Sequence, residues 1–308
     1  MKKILVIGSS NTDMIIRAAR IPRPGETVVG GEFSMAPGGK GANQAVAAAR
    51  AGGSVTFVAR VGRDLFGDQA VRNFEADGID VRFVGRDAGA PSGVALIQVD
   101  EKGQNSISVA SGANARLAAG DIRAARRAFE GADVLLLQLE TPLETVRAAA
   151  GEAFALGIPV ILNPAPARPL DDVLLKTVAG ITPNESEAEI LTGFAAADEA
   201  GAARAAAALR RRGPALVVVT MGDRGCYALG DAFRGMVPAF PAAAVDTTAA
   251  GDVFNGALAV ALAERRPLAE ALRFASAAAA LSVTKLGAQP SAPARAEIER
   301  FMISLPAS

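Results

Sequence analysis

The sequence predicts an α/β fold with three layers (α/β/α), built on a doubly wound, mostly parallel sheet, together with a small separate β-sheet. Short, continuously apolar runs alternate with longer amphipathic stretches along most of the 308 residues. Continuous apolar runs are typical of parallel strands covered on both faces, and regular strand–helix alternation favours a doubly wound sheet. Two further regions alternate with a period of two, which indicates half-buried antiparallel strands.

The elements of the large sheet follow in order along the chain. Buried strands are predicted at Ile4–Ile7, Val55–Ala59, Val134–Leu137, Val160–Leu162 and Leu216–Thr220. Helices are predicted near Gly41–Ala51, Leu65–Asp77, Leu143–Leu156 and Ala197–Arg212, and from residue 252 onward at Asp252–Glu264, Leu268–Val283 and Ala294–Ser304. The whole chain, residues 1–308, is therefore interpreted as one domain of ordinary globular size.

Two regions interrupt this rhythm and predict the small sheet. Met14–Phe33 and Gly93–Val109 carry alternating strands, and Asp100–Gly103 has the composition of a tight turn between the second pair. We expect these strands to form a lid over roughly residues 12–36 and 92–111. A flap of this kind is able to close over a bound ligand.

Composition excludes several classes of function. Lys plus Arg and Asp plus Glu both number 32, so no basic field attracts nucleic acid or an anionic membrane. The chain has no histidine, which excludes histidine bases and histidine metal sites. Its single cysteine, Cys226, is interpreted as a packed core thiol. No apolar run reaches the ~18 residues of a membrane span, and the N-terminus lacks a signal pattern, so we expect a cytoplasmic enzyme.

The segment from Asp246 to Gly256 is the most informative about chemistry. Ala249, Ala250 and Gly251 lead into an apolar helical run, and the start of such a helix presents unpaired backbone amides to an anion. Asp252 stands at the same place and is able to accept a hydroxyl proton. The alternative is that Asp252 serves only as a helix cap.

A second segment, Gly38–Gln44, reads Gly-Gly-Lys-Gly-Ala-Asn-Gln and opens a predicted helix. Its glycines allow the backbone to approach a ligand closely. The spacing matches neither a P-loop nor a dinucleotide-binding fingerprint. The alternative is a glycine-rich turn with a solvated Lys40.

Several shorter clusters carry weaker signals. Asn11-Thr-Asp13 and Glu140 each follow a predicted strand, at the edge where α/β sheets bind ligands. Asn184 and Glu187 have the spacing of a capping box, which by itself explains them structurally. The turn Thr220–Gly225 follows another strand and suits either a nucleotide or a plain turn.

Taken together, these segments resemble the ribokinase-like family of small sugar and nucleoside kinases, from Ile4 to about Phe301. The segment Asp246–Asp252 is similar to a signature found across the family, and Gly38–Asn43 resembles its ribose-phosphorylating members more narrowly. Asn163–Ala167, Gln138–Glu140 and Gly287–Ser291 are also similar to those members.

The resemblance implies ATP-dependent phosphorylation of D-ribose at its 5-hydroxyl, with Mg²⁺ accompanying ATP and K⁺ as an activator. It implies that Asp252 is the base, with anion-hole amides from Ala250, Gly251 and Asp252. It implies sugar contacts from Asn11, Asp13, Gly39, Lys40, Asn43 and Glu140. It implies nucleotide and Mg²⁺ contacts from Asn184, Glu187, Thr220, Gly222, Asp223, Arg224, Gly225, Gly251 and Ser276. It implies a monovalent-cation site at Asp246, Thr248, Ser282, Lys285, Gly287 and Ser291, and a homodimer formed through the lid.

Three alternatives stay open from the sequence. The same transfer to 2-deoxyribose or a nucleoside is the first, although polar residues such as Asn11 and Lys40 favour a polyhydroxylated sugar. A non-catalytic sugar-binding protein on the same scaffold is the second, and it would be expected to lack Asp252. A nicotinamide-dependent oxidoreductase is the third, and it would need a dinucleotide fingerprint that the sequence lacks.

Overall fold

A nine-stranded sheet forms the centre of the molecule, as seen in a computed structural model that describes residues 1–304. Its strands in chain order are β1 (Lys3–Ile7), β4 (Ser54–Gly62), β5 (Asp80–Asp87), β8 (Val134–Leu137), β9 (Val160–Leu162), β10 (Gly180–Ile181), β11 (Leu216–Thr220), β12 (Cys226–Leu229) and β13 (Arg234–Val237). They lie in the order β13-β12-β11-β10-β9-β8-β1-β4-β5. The pairs from β11 to β5 are parallel, and β12 and β13 add an antiparallel edge.

Ten helices accompany the strands in the described part of the chain. They are α1 (Lys40–Arg50), α2 (Leu65–Ala76), α3 (Ala119–Ala124), α4 (Leu143–Ala155), α5 (Asp172–Leu175), α6 (Glu185–Thr192), α7 (Glu199–Arg211), α8 (Ala250–Ala263), α9 (Leu268–Ser282) and α10 (Arg295–Ser304).

Two apolar cores lie on opposite faces of the large sheet. Ile4 and Val6 of β1 pack in one core with α1, α8 and α9, whereas Leu5 and Ile7 pack in the other with α4 and α7. Successive side chains of a strand point to opposite faces, so a continuously apolar strand serves both cores. The predicted three-layer α/β/α class is confirmed.

A separate four-stranded sheet has the order β3-β2-β6-β7, where β2 is Asn11–Arg17, β3 is Glu32–Gly38, β6 is Gly93–Val99 and β7 is Asn105–Ala110. β2 pairs antiparallel with β3 and parallel with β6, and β6 and β7 form a hairpin across the turn at Asp100–Gly103. We refer to these four strands as the small sheet. Because β2 starts directly after β1, the small sheet begins beside the carboxyl edge of the large one.

The sequence patterns located most of the long elements within a few residues and missed several others, including β5 and α6 with eight residues each. β5, β10, β12 and β13 were not predicted, nor were α3, α5 and α6 as helices. β10 has two residues and α5 has four. Neither is long enough to show a hydrophobic period, which explains why periodicity did not detect them.

Candidate active site

The site is built where α1 and α8 cross at the carboxyl edge of the large sheet. The helices approach so closely that a Cβ on Gly256 would lie 2.7 Å from the Gln44 carbonyl oxygen and from the Ala47 Cβ. Gly39, immediately before α1, has φ 90°, which a residue with a side chain rarely adopts. These two glycines let the first turns of both helices meet, which brings Asn43 and Gln44 to Asp252.

Asp252 is a buried carboxylate with a hydrogen bond to each oxygen. Asn43 Nδ2 donates to Oδ2 at 2.9 Å, and Gln44 Nε2 donates to Oδ1 at 3.0 Å. Burial raises the pKa of Asp252, while the Lys40 ammonium and the two amide donors oppose that rise by stabilising the charged form. The carboxylate therefore lies in a place where little water reaches it, with amide donors on both of its oxygens.

Lys40 compensates a cluster of carboxylates around Asp252. The charges of Asp252, Glu140 and Glu187 raise the pKa of the Lys40 ammonium against the opposing effect of its burial. Asp13, which comes from the small sheet, has its pKa raised to about 6 by burial and by the negative charges of Glu140 and Asp252. The cluster therefore contains more negative than positive charge, a condition that favours binding of donors such as sugar hydroxyls.

The first turn of α8 leaves backbone amides open. Ala249, before the helix, has a left-handed backbone with φ 60° although it is not glycine. Within residues 1–304 the amides of Gly251 and Asp252 donate to no oxygen, and the Ala250 amide makes only a 3.3 Å bond to the Thr247 carbonyl. Unpaired amides at a helix start bind anions. Strained backbone of this kind costs on the order of 1–3 kcal/mol and concentrates at functional sites.

The side of the site expected to hold the sugar contains a cavity of about 330 Å³ lined by Asn11, Glu140 and Asn114, among others. Asn114 Nδ2 donates to Asn11 Oδ1 at 2.8 Å, so the Asn11 amide nitrogen is directed away from that contact. Glu140 accepts hydrogen bonds from the Ser9 hydroxyl and from the Lys40 backbone amide at 3.0 Å. The Asn43 Oδ1 is buried and accepts no hydrogen bond in the described structure, so this acceptor is left without a donor.

The segments assigned to the nucleotide lie along the neighbouring strand ends. Asn184 pairs with Thr220 in a parallel bridge, so the start of α6 adjoins the turn after β11. Asn184 and Glu187 form the anticipated capping box, with backbone-to-side-chain bonds of 2.8 Å in both directions. Burial raises the pKa of Glu187, and the charges of Lys40 and Asp252 act on its carboxylate in opposite directions.

The turn Gly222–Arg224 is a single 3₁₀ turn, and Gly225 follows it with φ 95°. Asp223 lies exposed within it, while the Arg224 guanidinium is paired with Glu185 of α6. Ser276 is buried on α9, within hydrogen-bonding reach of the Cys226 thiol, whose pKa burial raises to about 12. Cys226 is thus a protonated core thiol, and Ser276 lies beside it.

The loop before α8 is joined to the loop after α9. Asp246 Oδ1 accepts from the Thr248 amide and Oδ2 from the Gly287 amide, both at 2.9 Å. No ion pair within 4.0 Å involves Asp246 in residues 1–304, although the charge of Arg17 acts on it from farther away. Burial acts to raise the pKa of Asp246, but its hydrogen bonds outweigh burial and lower the pKa below its ordinary value. The Ser282 and Ser291 hydroxyls donate to the carbonyls three residues before them, and the Lys285 ammonium pairs with Glu297.

The structure therefore brings one group of sequence-identified residues together and leaves others apart. Asn43, Lys40, Asp13, Glu140 and Asp252 converge, and the charge of Glu187 acts on Lys40 and Asp252. The side chains of Ser276, Arg224 and Lys285 have partners elsewhere.

Sequence reasoning assigned no role to five buried polar residues beneath Asp252, which are Gln44, Gln138, Asn163, Thr182 and Asn255. Gln44, Gln138 and Asn163 stand inside segments that the sequence motifs identify, yet nothing in one sequence shows that their amides meet.

Comparisons with known proteins identify the family of the chain. The sequence pattern of the pfkB family of carbohydrate kinases matches residues 1–295. Over 301 residues the chain is 44% identical to a ribokinase of Haemophilus influenzae, with 98% of both chains covered. It is 40% identical to a deoxyribokinase of Salmonella typhi, with 97% of both covered. It superposes on the Arabidopsis thaliana ribokinase complexed with ribose and ATP with a TM-score of 0.91 at 32% identity, covering 98% of this chain and 99% of the other. No helix in residues 1–304 is long and apolar enough to cross a bilayer.

Proposed function

The chain belongs to the pfkB family of carbohydrate kinases, and on that basis we propose that it transfers the γ-phosphate of ATP to the 5-hydroxyl of D-ribose, giving D-ribose 5-phosphate. The observation that carries the proposal is a buried carboxylate, Asp252, in the same helical turn as the open amides of α8. A base and an anion site within one turn are what in-line phosphoryl transfer to an alcohol requires.

In the proposed reaction the proton of the 5-hydroxyl goes to Asp252 and the hydroxyl oxygen forms a bond to the γ-phosphorus. The bond from that phosphorus to the β,γ-bridging oxygen breaks, and ADP leaves. With no histidine in the chain, this proton must go to a carboxylate, a lysine, a tyrosine or the single thiol. Asp252 is the group that lies in the same turn as the open amides. The amides of Ala250, Gly251 and Asp252 would donate to the oxygens of the moving phosphoryl group, where negative charge accumulates. Because these donors are fixed by the helix start, they need no reorganisation during the transfer.

The sugar would lie between the small sheet and α1. Carboxylates of Asp13 and Glu140 would accept from sugar hydroxyls, and the Asn43 Oδ1, which lacks a donor, would accept another. The Asn11 amide nitrogen and the Lys40 ammonium supply donors, and Gly39 allows the backbone to approach. A site with this many polar groups loses affinity for a sugar that lacks one hydroxyl, because the stranded group is then left unpaired.

ATP-dependent transfer in this family implies a divalent metal bound with the nucleotide, and we propose Mg²⁺. No three acidic or thiol side chains in residues 1–304 form a metal cluster, and Mg²⁺ normally takes one or two carboxylates, waters and substrate phosphates. Glu187, a carboxylate close enough to interact with the charges of Lys40 and Asp252, and Asn184, which is bonded to it, are the residues proposed for that role. When bound, the ion neutralises charge on the phosphates.

The nucleotide would extend from this point along the carboxyl edge of the sheet. The turn Thr220–Gly225 adjoins Asn184 and would receive it through Thr220, Gly222, Asp223, Arg224 and Gly225. For Arg224 to contact phosphate it must leave Glu185. Ser276 would contribute only as part of the wall of the nucleotide site, since it is buried beside Cys226.

We also propose that K⁺ activates the enzyme from the two loops that Asp246 joins. Asp246 carries a charge with no salt-bridge partner in the described structure, and hard cations prefer oxygen ligands. The oxygens would come from Asp246, Thr248, Ser282, Lys285, Gly287 and Ser291, with Lys285 contributing only its carbonyl because its ammonium pairs with Glu297. The ion would steady the loop that leads into α8.

A homodimer through the small sheet is proposed from its outer face. The strand registers place Ile16, Phe33, Met35 and Leu96 on the face opposite Asp13, and their exposed fractions run from 44% to 61%. Four large exposed apolar side chains on one sheet face are typical of an interaction surface. Analytical ultracentrifugation of Phe33→Ser beside the wild type tests this, since a dimer held by this face should dissociate.

The phosphorylation itself is tested by an ATP-coupled assay on ribose, 2-deoxyribose, fructose and adenosine, with and without K⁺. Ribose should be the best acceptor, and 5-deoxyribose should not be phosphorylated. A second candidate, transfer to 2-deoxyribose, is favoured by the 40% identity to a deoxyribokinase. Equal or higher kcat/KM for 2-deoxyribose would replace the first proposal with the second, and no turnover of any acceptor would remove both.

A further inference from the structure

A continuous chain of buried polar side chains runs beneath Asp252. Gln138 Nε2 donates to Gln44 Oε1 at 2.6 Å, and Gln44 Nε2 donates both to Asp252 Oδ1 at 3.0 Å and to Asn163 Oδ1 at 3.1 Å. Gln44 is fully buried, and Gln138 and Asn163 are 1% and 7% exposed. These side chains come from α1 and from the ends of β8 and β9, so they connect helix and sheet.

The same chain of contacts returns to the first turn of α8. Asn163 Nδ2 donates to the Thr182 carbonyl at 3.0 Å, and the Thr182 hydroxyl donates to Asn255 Oδ1 at 2.6 Å. Asn255 Nδ2 then donates to the Gly251 carbonyl at 2.7 Å. The chain therefore begins at the carboxylate of Asp252 and ends at the carbonyl of its neighbour.

The orientation of the Gln44 amide follows from its partners. Both protons of Nε2 have acceptors, Asp252 and Asn163, and the oxygen has a donor, Gln138. A rotated amide would set Oε1 against two acceptor oxygens and leave the Gln138 donor facing an NH₂ group, which is costly in a buried place. Only one orientation satisfies all three neighbours, so Gln44 holds Asp252 Oδ1 at a fixed position.

We propose that Gln44, oriented by Gln138 and Asn163, is a positioning residue for the phosphoryl transfer: it fixes Oδ1 of Asp252 so that Oδ2, beside Asn43, remains for the acceptor hydroxyl. This inference rests on the function proposed above and adds to it the residue that holds the base. Gln44 touches neither substrate nor phosphate in this scheme.

The charged groups around Asp252 act on its pKa in both directions. Lys40 on α1 stabilises its charged form, whereas Glu140 after β8, Glu187 on α6 and Asp13 on β2 oppose that form. The Gln44 donor adds to the effect of Lys40 and lowers the pKa of Asp252. Removing it should raise that pKa. Because the base acts deprotonated, the acid limb of the rate profile should move to higher pH.

The variant is Gln44→Met, which keeps the length of the side chain and removes the donor. We expect kcat for ribose to fall about 10-fold or more and the acid limb of kcat/KM to move up by about one pH unit. The KM for ATP should stay within a few-fold. Exposed Gln69→Met on α2 is the matched control and should change neither quantity.

Gln138→Met keeps the test decisive if Gln44→Met does not fold. This change removes the donor that orients Gln44, and the Gln138 side chain itself makes no contact with Asp252. The acid limb of kcat/KM should therefore move to higher pH, by less than in Gln44→Met. In the Asp252→Asn background, Gln44→Met should cause no further loss of rate. The proposal is overturned if Gln44→Met or Gln138→Met folds and leaves the acid limb of kcat/KM unchanged. It is also overturned if Gln44→Met lowers kcat as much in the Asp252→Asn background as it does in the wild type. Failure of the wild type to phosphorylate ribose would instead reject the proposed function.

Discussion

Replacing Asp13 by Asn should stabilise the ligand-free protein near neutral pH while impairing the use of ribose. The ordinary pKa of the group is 3.8, and in the folded chain it is about 6. The folded state therefore holds this proton more tightly than the unfolded chain does. Deprotonation in the folded state opposes folding by about 3 kcal/mol at most, at about 1.4 kcal/mol per pKa unit.

The difference in the pKa of Asp13 between the folded and unfolded chain sets both the sign of its effect on stability and the pH range over which that effect develops. The penalty is absent below pH 3.8, grows between pH 3.8 and about 6, and is complete above that. Because Asp13 is only partly buried, solvent screening reduces the gain expected from Asp13→Asn to about 1–2 kcal/mol at about pH 7.5. The gain should shrink steadily as the pH falls toward about 4.5.

Urea unfolding of the wild type and Asp13→Asn at several pH values between about 4.5 and 8 measures this difference. Glu101→Gln, an exposed change in the hairpin of the same small sheet, removes one negative charge and serves as the control. The Asp13→Asn variant should also show a raised KM for ribose with the KM for ATP little changed. A loss of stability near neutral pH, or a gain that does not depend on pH, would refute the reasoning. That reasoning holds that the ionised Asp13 carboxylate destabilises the ligand-free fold.

Three further results are expected from the same geometry. Asp252→Asn should lower kcat by about 10²–10⁴ with ribose affinity within a few-fold in calorimetry, and a kcat near that of the wild type would exclude Asp252 as the base. Lys40→Ala should raise the KM for ribose far more than that for ATP, because it removes the cation that balances Asp252 and Glu140; the reverse pattern in steady-state kinetics would place Lys40 on the nucleotide side. Replacing choline chloride by KCl at fixed ionic strength should raise kcat, and Asp246→Ala should reduce both the activity and this dependence; a flat response of the wild type would remove the cation site and leave the kinase assignment intact.

Asp246 shows why that last experiment is needed. Its carboxylate already accepts two backbone amides and thereby joins the loops before α8 and after α9. A purely bracing role would also make Asp246→Ala less active, but it would not make the activity of the wild type depend on K⁺. The salt titration therefore distinguishes the two explanations, whereas the mutation alone does not.

The sequence by itself determined the fold class and the segments that form the site. Continuous apolar strands alternating with helices predict a parallel sheet covered on both faces. Small residues at Ala249–Gly251 before a helical run predict an open helix start. Both are local patterns, carried by residues that are neighbours in the chain, so they are visible before any tertiary contact is known.

Only the tertiary structure decided how these segments act on one another. The bond from Asn43 to Asp252 joins residues 209 positions apart, and that from Gln138 to Gln44 joins residues 94 positions apart. The buried amide chain and the raised pKa of Asp13 depend on which strand ends meet at one edge of the sheet. The pairing of Lys285 with Glu297 depends on how α10 returns to the loop after α9. Burial and charge proximity act through space, and a single sequence does not record those distances.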